Sequence, residues 1–415
     1  MGTRVRFTIL YLARFADNFG YVAILTLLPV YVNLLDPSGL VIGLFVAGLA
    51  IGRTIAGIPL GWAADRYDKR ALLIASLVTS IVAFVLFAFA DGSTELIIAR
   101  TLQGFGSIGA GMITLALVSE LAPAGERGTY IGRFNAWRLA AGIVGTLGVG
   151  LAYDLFGFGS IYGALVVMHL LALSGLWLYV EADESTVENT AYVDLALNPR
   201  IISLSSFRSL YAVSMTLVQT WIPIYAGITV ANGGLGLATF AVGTVLAAEK
   251  ITNMLMQPYT GTLSDKHGRE LFILLGGGTY GIVALAVPFT PTLSAIVPGP
   301  VTIPMLGILP PVFFVILALN ALFGIADSFR EPASMAVFAD EGTDRGITSS
   351  FGIRGLVWRP GAIVAPLIGG YLMSTVGIQW VFFGAFGTAL ASITLYLGML
   401  TLYRGSVPFR VPYRE

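Results

Sequence analysis

Arg14, Asp17, Asn18 and Tyr21 follow one another at spacings i, i+3, i+4 and i+7, which sets all four on one side of a helix. Asp17 is the only acid between residues 7 and 33, a stretch otherwise dominated by apolar side chains. A carboxylate so placed has two possible uses. It can neutralise Arg14 and act structurally, or it can take up and release a proton, because burial and a neighbouring guanidinium pull its titration in opposite directions. Further along, Arg100, Gln103, Ser107 and Gly111 share one helical face, and Asn320, Asp327, Ser328 and Glu331 share another with Arg330 beside them. Asp327 competes with Asp17 as proton carrier, or forms a gate with Arg330 and Glu331 about one turn on. Tyr211, Ser214, Trp221 and Tyr225 make a fourth face, where aromatic residues at helical spacing either pack or meet a ligand. The candidate lining of a substrate cavity is therefore Arg14, Asn18, Tyr21, Gln103, Trp221, Tyr225 and Asn320.

The elements that must position these groups are set by composition. The chain has 415 residues, 56% of them hydrophobic and 11% charged, with a mean hydropathy of +0.84. That balance fits a polytopic all-α membrane protein, not a water-soluble core. The absence of cysteine excludes disulfides and thiolate metal sites, and two histidines leave little for zinc or general-base chemistry. No metal and no cofactor is expected. Fifty glycines let membrane helices approach closely. No cleavable signal peptide is expected, since the segment Met1 to Arg6 runs into an apolar stretch that continues past Val32.

A crossing helix needs about 20 apolar residues, and that length divides the chain into twelve spans. Their limits are 7–33, 39–62, 71–90, 95–119, 129–153, 159–180, 201–228, 235–258, 270–289, 311–337, 347–374 and 379–402. Short connections at one side carry Arg4, Arg6, Arg66, Lys69, Arg70, Arg127, Arg200, Lys266, Arg269 and Arg345, whereas the other side carries Asp36, Asp91, Glu95 and Asp154. Positive charge marks the cytoplasmic side, so both termini are expected there. An arginine at a helix centre costs about 2.5 to 3.5 kcal/mol on insertion scales. Arg53, Arg133, Arg138, Arg354 and Arg359 should therefore face partners or a wet cavity, while Arg208 is placed to snorkel to the inner interface.

The chain also repeats itself. Gly61-Trp62-Ala63-Ala64-Asp65-Arg66-Tyr67-Asp68-Lys69-Arg70 is echoed by Gly261-Thr262-Leu263-Ser264-Asp265-Lys266-His267-Gly268-Arg269, and Leu28-Pro29-Val30-Tyr31 by Ile222-Pro223-Ile224-Tyr225. An acidic connection separates the copies. The expected organisation is a six-helix bundle at 1–181, an acidic cytoplasmic linker at 182–199, a second six-helix bundle at 200–404 and a cytoplasmic tail at 405–415. Parallel six-span repeats suggest a transporter with its site between the repeats near the bilayer midplane.

The decapeptide is similar to the Gly-x-x-x-Asp-Arg-x-Gly-Arg-Arg motif of the major facilitator superfamily, with Asp68 where glycine is usual and Gly268 keeping it. Arg100-Thr101-Leu102-Gln103-Gly104-Phe105-Gly106 resembles the family's Arg-x-x-Gln-Gly-x-Gly motif. The whole chain resembles this family, and in particular its drug/proton antiporter-like branch. The branch's Gly-Pro-x-x-Gly-Gly element lacks its proline in span five, at Gly145 to Gly150, while span eleven reads Ala365-Pro366-Leu367-Ile368-Gly369-Gly370. The resemblance implies that Arg100 faces the cavity and assists proton coupling. It also implies a cytoplasmic gate of Gly61, Asp65, Arg66, Arg70, Arg133, Gly261, Asp265, Arg269 and Arg354, with Asp65 pairing Arg354 and Asp265 pairing Arg133.

The expected protein is a multi-pass transporter of the inner or plasma membrane, moving a small organic molecule by alternating access. A proton gradient is the expected energy source. Its partners are substrate, protons and the lipid bilayer, with no nucleic acid, and a monomer suffices. Proton-coupled efflux by a multidrug-like antiporter is expected, with a proton-coupled uptake symporter as the alternative, and a cationic, anionic or amphipathic substrate is compatible with the mixed charges. A membrane-embedded enzyme lacks a clustered catalytic set here, because His169 and His267 fall in unrelated places. A passive channel does not account for the repeat.

Overall fold

In hydrocarbon every backbone N–H and C=O must find a partner within the protein, which makes the helix the default for long apolar runs. A computed structural model describes residues 2–64, 66–123, 126–182, 199–303, 307–341 and 354–404. Its helices are α1 Gly2–Leu35, α2 Gly39–Ala64, α3 Lys69–Ala88, α4 Ser93–Leu121, α5 Arg127–Tyr179, α6 Pro199–Gly227, α7 Thr239–His267, α8 Arg269–Ala286, the short α9 Thr290–Leu293 and α10 Pro311–Glu341. Two more close the chain, α11 Arg359–Thr375 and α12 Gln379–Arg404. The proline-rich connection before α10 holds an antiparallel pair of short strands, β1 Val301–Ile303 and β2 Gly307–Leu309, with Val301 opposite Leu309. The expected linker from Asp183 to Asn198 and the tail at 405–415 lie outside the described residues.

Among the described residues, ten helices are long and apolar enough to cross a membrane. Two differences separate that number from the twelve spans expected. The spans at 129–153 and 159–180 are joined in α5, whose one interruption is Gly157 at φ 70° and ψ −170°. That region is essentially restricted to glycine. Helix α7 is the second difference, since Glu249, Lys250, Asn253 and Gln257 occupy its middle.

The chain divides into two compact units, Met1–Thr190 with Ala238–Gly243 and Ala191–Leu237 with Thr244–Glu415. In the first, α1 packs on α5 and α4, α2 on α4, and α3 on α4 and α5. Small residues set these crossings. A Cβ on Gly104 would stand 3.0 Å from the Arg53 nitrogen and 3.1 Å from the Gly52 Cα, and one on Gly106 would meet the Ser76 carbonyl at 2.8 Å. Glycine here lets helix backbones touch. A core of Phe7, Leu10, Tyr11, Leu73, Leu77, Ile113, Leu117 and Phe134 fills one end.

In the second unit, α6 packs on α11 and α12, and α8 on α10 and α12. Helix α7 is fastened to α10 by side chains reaching backbone carbonyls. Asn320 donates to the Val245 carbonyl at 2.5 Å, Thr252 to Ala321 at 2.8 Å and Thr260 to Ser328 at 2.6 Å. A polar helix gains such anchors because water is not there to satisfy its hydroxyls and amides.

Candidate functional site

The face expected on α1 is present and occupied by real contacts. Arg14 Nη1 donates to Asp17 Oδ2 at 2.8 Å, and the exposures of the two side chains are 18% and 4%. The Arg14 guanidinium also lies 5.3 Å over the Phe134 ring. Asn18 turns its amide to the Arg138 carbonyl at 2.8 Å. One turn on, Tyr21 meets two further cations, with the Arg53 guanidinium 5.2 Å and that of Arg100 5.6 Å from its ring centroid. Arg100 Nη1 donates to Gln103 Oε1 at 2.6 Å, and Arg53 Nη2 to the Ser107 hydroxyl at 2.5 Å. The α2–α4 crossing at Gly52 and Gly104 explains why Arg53 and Arg100 converge: each lies one residue to one turn from the contact. The structure thus brings Arg14, Asp17, Asn18, Tyr21, Arg100 and Gln103 to one region of the first unit, and adds Arg53 and Ser107.

A longer chain of charges runs through the second unit. Asp327 Oδ1 accepts from Arg330 Nε at 3.0 Å and from Arg330 Nη2, while Asp327 Oδ2 accepts from Asn253 at 2.9 Å. Gln257 in turn donates to Asn253 Oδ1 at 2.6 Å. Arg330 pairs with Glu331 at 2.9 Å, and Glu331 with Arg354. Arg208 donates to the Arg354 carbonyl at 3.1 Å and lies 4.8 Å over Trp358. Arg208 is therefore buried in the network and does not snorkel. The Arg330 guanidinium is 1% exposed and lies 4.7 Å over the Tyr211 ring. Glu249 receives the Gln219 amide at 3.5 Å.

The remaining candidates for the cavity are packed inward. Trp221 and Tyr225 are fully buried, with Trp221 against Gly369, where a Cβ would meet the indole ring at 2.6 Å, and Tyr225 against Phe382 at 5.4 Å between centroids. Asn320 spends its amide on α7, as described above. A separate apolar cleft at the ends of α1, α2 and α4, lined by Leu28, Tyr31, Val32, Ile42 and Phe45, takes in none of the charged groups.

The two motif copies straddle helix ends, and they end them differently. Asp68 is the N-cap of α3, its side chain accepting the Arg70 backbone N–H at 2.8 Å. Gly268 caps α8 with φ 99° and no side-chain bond. The Asp68 carboxylate supplies a capping acceptor that Gly268 at the matching position lacks. Arg66 lies 4.7 Å over Trp62, Lys69 pairs with Glu120 at 3.2 Å, and Arg70 donates to the Trp177 carbonyl at 2.6 Å. In the second copy Arg269 pairs with Asp265 at 3.1 Å and with Asp340, leaving the Asp265 side chain 60% exposed. Arg133 is exposed and lies 5.4 Å over Tyr130. Gly61 and Gly261 have ordinary room, since a Cβ would come no nearer than 3.9 Å to Met112 and 3.6 Å to Pro332. Asp65 lies outside the described residues.

Two kinds of residue escaped the sequence reading. Arg53 had no assigned partner, because Ser107 and Tyr21 reach it from other helices. Asn253 and Gln257 follow Glu249 at i+4 and i+8, a polar stripe at helical spacing that was itself a signal.

The model of the Major Facilitator Superfamily matches residues 10–308. An uncharacterized MFS-type transporter of Methanocaldococcus jannaschii is 22% identical over 272 residues, covering 64% of this chain and 70% of that protein. The chromaffin granule amine transporter of Rattus norvegicus is 22% identical over 355 residues, covering 84% of this chain and 64% of its own length. Among solved structures, a variant of the nucleoside transporter NupG superposes with a TM-score of 0.77 at 14% identity, covering 96% of this chain and 99% of that one. At that identity the likeness concerns the fold alone.

Proposed function

The chain belongs to the Major Facilitator Superfamily, and from that membership we propose that it is a proton-coupled secondary transporter of a small organic molecule, working by alternating access. The observation that carries the coupling is the Arg14–Asp17 pair. Its carboxylate is 4% exposed and its guanidinium 18%, so the pair sits at the border between packed protein and accessible space. Protonation of Asp17 would release Arg14, and rebinding of Arg14 would expel the proton. Asp327 is held by three donors and serves as the structural keystone of the second unit. Arg100 supports coupling through the ring of Tyr21, which it shares with Arg53.

Twelve crossings follow if α5 is counted twice and α7 is included. At about 1.5 Å per residue, the 53 residues of α5 exceed the roughly 30 Å of a hydrocarbon core more than twofold. Gly157 is then the turn between two crossings, and both termini are cytoplasmic by the positive-inside rule. The cell membrane is the expected location. Efflux is favoured by the resemblance to drug/proton antiporters, with uptake by symport as the alternative. An amine or a nucleoside, as named for the relatives, is within the proposed range of substrates.

The test is transport in proteoliposomes loaded with a pH dye. Probes of fixed charge, benzenesulfonate and trimethylphenylammonium, and neutral uridine cross lipid slowly unaided. Dye response on adding a probe, with the sign giving symport or antiport, supports coupling. Net probe uptake down its own gradient without any proton movement would sink it.

A further inference from the structure

We propose that the first unit contains an oxyanion subsite centred on Arg53 and Arg100, and that the transported molecule carries a carboxylate- or phosphate-type group to fill it. The proposal rests on the transporter reading and narrows its substrate class.

Charge balance on this face is the starting point. Asp17 is taken by Arg14 at 2.8 Å, which makes that pair neutral. Arg53 has a hydroxyl from Ser107 and the Tyr21 ring, and Arg100 has the Gln103 amide oxygen and the rings of Tyr21 and Phe45. Neither has a carboxylate within 4.0 Å among the described residues. Guanidinium groups stay protonated in proteins, so two full charges converge here against neutral acceptors only. The contrast with the second unit is direct, where Arg330 faces both Asp327 and Glu331.

The donors are also unspent. Each guanidinium carries five N–H groups, and Arg100 is 1% exposed with its Nε buried and unbonded among the described residues. Arg53 and Tyr21 are half-buried, and Arg100 lies deeper. Backbone contact between Gly52 and Gly104 holds the two cations together against their repulsion. A single oxyanion answers all of these features, because its lone pairs accept paired N–H donors from an arginine fork and its charge offsets both cations. The Tyr21 and Phe45 rings suit an aromatic or otherwise flat body attached to that group.

The experiment uses the purified full chain and calorimetric binding of four probes: benzoate, phenylphosphate, trimethylphenylammonium and benzyl alcohol. Binding of benzoate or phenylphosphate, with the cation and the alcohol at least about tenfold weaker, is the expected result, and the preferred anion separates carboxylate from phosphate chemistry. Arg53→Gln should weaken the anion about ten- to hundredfold, as loss of a charge-assisted hydrogen bond does. Arg53→Lys keeps the charge without the fork and should fall between, which guards against a folding defect. The subsite is overturned if trimethylphenylammonium binds as tightly as the anions, if neither anion binds, or if folded Arg53→Gln binds benzoate like the parent. Counterflow of phenylphosphate and trimethylphenylammonium, which cross lipid slowly unaided, tests the transporter reading separately: an anion that binds without counterflow contradicts transport, while cation counterflow without anion binding contradicts only the subsite.

Discussion

Changing Asp327 to asparagine should damage the second unit far more than the same change at Asp17 damages the first. Asp327 accepts from Arg330 Nε at 3.0 Å, from Arg330 Nη2, and from Asn253 at 2.9 Å. An asparagine keeps one acceptor oxygen and turns an amide toward donors. Arg330, 1% exposed, would then retain only Glu331 at 2.9 Å as counter-charge. Removing one partner of a buried pair costs about 3 to 5 kcal/mol, and the surviving Glu331 contact brings the expectation to about 2 to 3 kcal/mol. At Asp17 the partner Arg14 is 18% exposed and can turn toward water, so about 1 kcal/mol is expected. Thermal unfolding of the purified chain reads the difference, at about 2 to 4 °C per kcal/mol for a unit of this size. Adding Arg330→Gln to Asp327→Asn removes the stranded cation and should restore most of the loss. The reasoning fails if the two single variants unfold together, or if the double variant is no more stable than Asp327→Asn.

Three further outcomes are open to measurement. Asp68→Ala removes the acceptor that caps α3 and should lower stability by about 0.5 to 2 kcal/mol, which unfolding of the purified protein will read. Gly104→Ala drives a methyl against the Leu49 carbonyl and to 3.0 Å from the Arg53 backbone nitrogen; overpacking of about 1 to 3 kcal/mol should appear together with weaker anion binding, because the α2 backbone that carries Arg53 is pushed away. Gly157→Ala meets no neighbouring atom within 4 Å, so its cost of about 1 to 3 kcal/mol comes from the backbone at φ 70° alone, and replacement by asparagine should bring little relief.

Local spacing carried the sequence reading where partners lie on one helix, and it stopped where they do not. The Arg14–Asp17 pair, at i and i+3, and Arg100 with Gln103, also at i and i+3, were readable because one turn of helix fixes both members. The Asp327–Arg330 contact was readable for the same reason. Arg53 is different, since its partners Tyr21 and Ser107 come from α1 and α4 and depend on the Gly52–Gly104 crossing. Trp221 and Tyr225 share a face with Tyr211 in sequence, but their packing on Gly369 and Phe382 depends on helices far along the chain. The Arg354–Glu331 pair likewise links α10 to the segment before α11. Apolar length located the spans, including 235–258 at α7, yet it is silent on whether two neighbours bend at one glycine, as at Gly157.

Asp17→Asn in dye-loaded proteoliposomes separates an Asp17 that exchanges the driving proton, as proposed, from one that only neutralises Arg14. An asparagine at residue 17 cannot titrate but still accepts from Arg14, so probe counterflow at equal pH should persist while accumulation driven by a pH gradient is lost. Undiminished gradient-driven accumulation by the folded Asp17→Asn protein would contradict the account.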